Sequence, residues 1–147
     1  MSANERTGWR DKELSERHRL WGFNCPMVDL DFLAVEYNTG KPVLLADYKR
    51  FTAQKPDLRH PSYKAITLLA DGYSEGPLPF IIPIYWPNIW AFRVIPVNEE
   101  AHKHFYENEE LTEKEYVSRL YRIRSLTLTK SLLPVLNDTL PIEELGA

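Results

Sequence analysis

Four residues within a span of twenty-one have the types and spacing to do chemistry: Asp29, Asp31, Asp47 and Lys49. Two carboxylates brought face to face repel, and the usual remedies are a shared proton or a cation. A hard dication such as Mg²⁺, with Mn²⁺ as a substitute, suits a carboxylate pair whose remaining ligands are waters. Lys49, two residues beyond Asp47, shares its strand face and would orient or help deprotonate a water held there. The stretch that must position these groups runs from Val28 to Lys49, VDLDFLAVEYNTGKPVLLADYK. Strand-forming residues flank a turn at Asn38, Thr39 and Gly40, so it reads as a hairpin. Asp31 and Asp47 are equally distant from Thr39, which sets them opposite or diagonal to each other. Both faces of both strands are largely apolar, which predicts a hairpin buried on both sides. Charges at its far end then need partners.

An acidic strand, a tight turn and a second strand ending in Asp-Tyr-Lys resemble the PD-(D/E)XK nuclease superfamily, here as Asp31 (or Asp29), Asp47 and Lys49. The phrase HRLWGFNCP leading into VDLDFL and later LLADYK is also similar to small nuclease-like proteins common in bacteriophage genomes. The resemblance covers roughly residues 10 to 97. It implies an α/β fold with a restriction-endonuclease-like core: a mixed β-sheet, made of a hairpin plus a strand-helix-strand crossover, flanked by helices. It also implies a Mg²⁺-dependent deoxyribonuclease, an endonuclease before an exonuclease, that hydrolyses DNA phosphodiester bonds with a metal-activated water. Asp31 and Asp47 would be the metal ligands, Asp29 a second choice, and Lys49 the residue that positions the water. In that superfamily an acid on the first helix often completes the metal site, a part that falls to Glu13 or Glu16. Two departures stand out: no proline directly precedes Asp31, and the second acid is Asp, one methylene shorter than the commoner Glu.

The 147 residues suit a single domain, with 44% hydrophobic content enough for one core. Residues 1–9 read as a flexible N-terminus, 10–125 as the domain, and 126–147 as an extension that either docks as a tail or makes an oligomer contact. Net charge is -3, yet residues 49–64 carry Lys49, Arg50, Lys55, Arg59 and Lys64 against Asp57 alone. That basic segment begins at the proposed site, where a phosphate backbone would lie; the alternative is a solvated loop. Cys25 is the single cysteine, so no disulfide forms within the chain, which fits a reducing cytoplasm. The apolar run from Leu78 to Phe92 is broken by Pro79, Pro83 and Pro87, so no membrane span is expected.

The other elements follow in order. Arg10 to Trp21 predicts an amphipathic helix, capped by Asp11 and closed by Gly22, with Leu14, His18 and Trp21 on one face. His18 is either packed there or carried toward a phosphate. Pro61 opens a second helix that ends at Gly72, with Ala65, Ile66 and Leu69 on its apolar side and Tyr63 and Lys64 in its first turn, near substrate or packed on the sheet. Residues 79–86 and 89–97 predict two strands around Pro87-Asn88, with Pro83 arguing for an edge position or a bulge. Trp86 and Trp90 are either a stacking platform for bases or the rim of the core. His102 and His104 read as part of a solvated helix or loop. Thr112 and Glu115 form a capping box for a helix to about Arg124, apolar at Tyr116, Val117, Leu120 and Ile123, with Glu115 and Arg119 one turn apart.

Three functional readings compete. The first is the DNA nuclease, in which a two-fold homodimer would make paired cuts. The second keeps the fold without the chemistry: a binding or inhibitory module of phage origin that engages a host protein or nucleic acid. In the third, the charges are ordinary ion pairs of a structural protein.

Overall fold

The computed structural model describes residues 12–24, 27–28, 30–126 and 130–140. Among them six strands form one mixed sheet in the order β1-β2-β4-β5-β6, with β3 also paired to β4. The strands are β1 (Phe32–Glu36), β2 (Lys41–Ala46), β3 (Lys49–Arg50), β4 (Phe80–Trp86), β5 (Ala91–Pro96) and β6 (Glu110–Leu111). Helices α2 (Pro61–Asp71) and α4 (Glu113–Ile123) pack on opposite faces, and the short α3 (Glu99–His102) joins α4. The hairpin, the crossover through α2 and the mixed sheet agree with the sequence reading.

Alternation along β2 divides the core. Leu44 and Ala46 meet Ile81, Phe92, Val94, Phe105 and Tyr116 on the α4 side. Leu45 meets Phe80 and the α2 residues Ile66 and Ala70 on the other. Phe80, Ile81, Ile82 and Phe105 have no exposed surface, each contributing about 1.5–3 kcal/mol by burial. Helix α2 opens as expected, with His60 Nδ1 accepting the Ser62 amide at 3.1 Å and Pro61 in the first turn. Its buried side is Ile66 and Ala70 rather than Ala65 and Leu69, because the sheet lies under the stripe that begins at Tyr63. The capping box of α4 is present: Glu115 accepts the Thr112 amide at 2.9 Å and Thr112 accepts that of Glu115 at 3.1 Å. With Glu115 so engaged, Arg119 pairs with Glu109 through two bonds of 2.6 Å.

The hairpin departs from expectation in three ways. Its first strand starts at Phe32, not Val28, and forms the sheet's edge, so Phe32 stays 60% exposed rather than buried on both sides. Near the turn, where Gly40 takes φ 72°, Glu36 pairs with Lys41 and Val35 with Pro42, but Ala34 pairs with Leu44. Val43 is thus the extra residue of a bulge. Without that bulge Asp31 would fall opposite Ala46, on the wrong face; with it, continued pairing brings Asp47 opposite Asp31.

The third departure is that the second strand is split. β2 and β3 follow β4 with one constant offset, Leu45 with Phe80 and Ala46 with Ile81, then Lys49 with Ile84 and Arg50 with Tyr85. Asp47 still donates its amide to Ile81 (3.0 Å), but the return bond to its carbonyl would have to come from residue 83. That residue is Pro83, which has no N–H to give. Pro83 therefore occupies a central strand, paired to Val94 of β5 on its other side, and neither marks an edge nor makes a bulge. The missing donor opens the neighbouring strand at Asp47 and Tyr48.

Candidate active site at the strand break

Asp47 has the parity of Leu45, so its carboxylate lies on the α2 face, where it is 9% exposed. Lys49 shares that face and places Nζ 3.4 Å from Asp47 Oδ2. Just ahead of β1, Asp31 reaches the same spot. Its Oδ2 accepts the Tyr48 amide at 3.1 Å, and its carboxyl group lies against that of Asp47. Tyr63, in the first turn of α2, closes the group beside both Asp47 and Lys49. Two acids, an ammonium and a phenol, from the residue before β1, the break itself, β3 and α2, thus converge.

The electrostatics follow from that crowding. Loss of solvent, then the hydrogen bond to Asp47 and its like charge, raise Asp31 from 3.8 to about 6, against the pull of Lys49 and the Tyr48 amide. Asp31 therefore keeps its proton in mild acid and loses it at neutral pH. For Lys49 burial works against the charged form, but the Asp47 carboxylate and Tyr63 outweigh it and hold its pKa above the usual range. Lys49 is accordingly a fixed ammonium, suited to orienting a ligand rather than to accepting a proton. Burial first, then the Asp47 charge, raises the Tyr63 phenol.

Comparison with known families, curated proteins and solved structures finds no match to this chain.

Other residues singled out in the sequence lie elsewhere. Asp29 and Asp11 fall outside the described residues, as do Arg10, Cys25, Pro26 and residues 1–9. Glu13 and Glu16 are exposed on α1 (Lys12–Trp21), a helix with no buried residue, so the expected apolar face of Leu14 and Trp21 is half open. Among the described residues no third carboxylate, imidazole or thiol joins the two aspartates. His18 lies edge-on to Trp21 at 4.5 Å. Of the basic segment, Arg50 sits over Phe51, Arg59 pairs with Asp57 at 3.3 Å, and Lys55 and Lys64 are exposed. Trp86 is 5% exposed and stacked with Phe51, so it is core and not a platform. Trp90 is 43% exposed, stacked on Tyr85 at 5.9 Å.

Sequence reasoning missed the parts played by Pro83 and Tyr116. Tyr48, facing the α4 side, meets the buried Tyr116 hydroxyl with its own at 2.5 Å, which ties the break to the core. Arg124 binds Glu36 through Nε and Nη2, and Arg119 binds Glu109 through both Nη groups. No helix among the described residues is long and apolar enough to cross a membrane.

Proposed function

We propose that this chain is a divalent-cation-dependent phosphodiesterase acting on DNA, with a restriction-endonuclease-like core of the PD-(D/E)XK kind. The single observation carrying this reading is the contact between Asp31 and Asp47 on one sheet face, with Lys49 Nζ 3.4 Å from Asp47. Two neighbouring carboxylates, Asp47 buried and Asp31 exposed, the latter without its proton above about pH 6, fit a dication. Asp31 and Asp47 would hold it, and Mg²⁺ or Mn²⁺ there would supply Lewis-acid polarisation of the phosphate and a more acidic water.

The protein's own groups do the rest. In hydrolysis a water oxygen bonds to phosphorus as the bond to the leaving sugar oxygen breaks; one water proton is released and the leaving oxygen takes a proton from solvent. Lys49, held as an ammonium by Asp47 and Tyr63, donates toward the incoming water or the extra negative charge on the phosphoryl oxygens. Tyr63 lies beside both partners and walls the ammonium on the α2 side. The test is nicking or degradation of DNA with Mg²⁺ or Mn²⁺, expected to disappear in Asp47→Ala and Lys49→Ala proteins that still fold. Absence of cleavage of single-stranded, duplex and branched DNA with both ions would end the enzyme reading.

One observation favours the second reading, a nuclease-like module that binds DNA or a host protein without cutting. Only two acidic ligands meet among the described residues. That module would bind its partner equally well with alanine at Asp31.

A further inference from the structure

The row of residues containing Lys49 continues across the sheet. Lys49 pairs with Ile84, Ile84 with Arg93 of β5, and Arg93 with Glu110 of β6. Directly paired residues project from the same face, so Arg93 shares the surface that carries Asp31, Asp47 and Lys49. Two strand spacings separate it from Lys49, roughly 10 Å at the backbone. Ile84, partly exposed, is the floor between them.

Arg93 is held in place without being used up. Its side chain is 35% exposed, and one bond, Nη2 to Glu110 at 2.7 Å, is the ion pair that fixes it. The guanidinium lies 5.6 Å from the centre of the Trp86 ring. Its Nε and the neighbouring Trp86 Nε1 are both buried donors that find no acceptor among the described residues. Buried donors without an acceptor are costly, and Nη2 alone of this guanidinium is bonded among the described residues. A planar guanidinium over an aromatic ring, with an open edge, matches the geometry of a phosphate.

We infer that Arg93 is a phosphate-binding residue, holding the DNA strand at a phosphate next to the one that faces Lys49. The inference rests on the nuclease reading for its substrate, but binding alone can test it. Glu110 then acts as a placeholder for the phosphate, pairing with Arg93 until DNA displaces it.

The experiment compares wild-type protein with Arg93→Gln, Arg93→Lys and Glu110→Gln. Fluorescein-labelled single-stranded and duplex DNA are bound in Ca²⁺ over a salt series, and cleavage is followed in Mn²⁺. Loss of one charge-assisted contact predicts roughly tenfold weaker binding for Arg93→Gln, seen in Kd and KM more than in kcat. The slope of log K against log salt should fall by about 0.7–0.9, the loss of one phosphate contact. Arg93→Lys should restore most of that slope, and Glu110→Gln should tighten binding. A folded Arg93→Gln with wild-type Kd and slope overturns the inference while cleavage by wild type keeps the nuclease reading. Weaker binding in both Arg93→Gln and Glu110→Gln overturns it too, since the pair is then a structural clasp. Wild-type protein that binds no DNA overturns the inference, whereas DNA binding without cleavage, weakened in Arg93→Gln, upholds it and removes only the chemistry.

Discussion

Pro83 stands opposite the Asp47–Tyr48 step of the neighbouring parallel strand, and the ladder bond it cannot donate is the one that the Asp47 carbonyl would accept. The break that frees these two residues from regular strand pairing thus originates in another strand, 35 positions along the chain.

Restoring the donor should therefore close the break. In Pro83→Val the new amide gains a bond worth about 1 kcal/mol, while loss of the proline ring returns about 0.4–1 kcal/mol of unfolded-state entropy. Stability should stay within about 1 kcal/mol of wild type, yet the residue-83 amide should become strongly protected from hydrogen exchange. Cleavage should fall as Asp47 is drawn into the ladder. A protected amide with undiminished cleavage would show that the break has no role in the chemistry.

Asp31 makes stability depend on pH in an unusual direction for a carboxylate. Its folded value of about 6 lies above the ordinary 3.8, so the folded state binds the proton more tightly. The stabilisation this brings is complete below pH 3.8 and is lost as pH rises through about 6. Asp31→Asn, which can still accept the Tyr48 amide, removes the penalty. Melting curves should show the variant more stable than wild type above pH 6 and equal to it near pH 4. A difference independent of pH would mean that Asp31 does not bind its proton more tightly in the folded state.

A dication bound between the aspartates competes with that proton. Mn²⁺ or Mg²⁺ should raise the melting temperature at pH 8, by about 2.7 kcal/mol of added stability at a hundredfold excess over Kd, and much less at pH 5. Asp31→Asn and Asp47→Asn should each lose the effect. An equal shift in those variants would move the cation to another place on the molecule.

Register, crossover and capping were legible in the sequence because each depends on local chemistry. The Thr112–Glu115 box and Pro61 announce helix starts, and equal spacing from Thr39 set Asp31 against Asp47. That spacing worked because the Val43 bulge supplies the one-residue shift that the turn itself lacks, a correction no propensity reveals. Burial of β1 was overestimated, since alternation reports apolar faces and not whether anything covers them. Tyr116, Arg93 and Pro83 reach the site only through pairings across the sheet, so their importance could not be read before the register was known.

The Tyr48–Tyr116 hydroxyl contact is the tether that carries core rigidity to the break. Burial raises both phenols, so they are neutral at neutral pH, and one donates to the other. Tyr116→Phe leaves Tyr48 without its partner, at a cost of about 1–3 kcal/mol, and Tyr48→Phe strands Tyr116 in the same way. The double variant removes both polar atoms and should cost less than the sum of the singles, giving a coupling energy of about 1 kcal/mol or more in a double-mutant cycle. Because the Tyr48 amide also holds Asp31, both single variants should slow cleavage without moving the Asp31 titration to an ordinary carboxylate value. Additive losses of stability would mean that the two hydroxyls are neighbours without being partners, and the break would then owe its rigidity to packing alone.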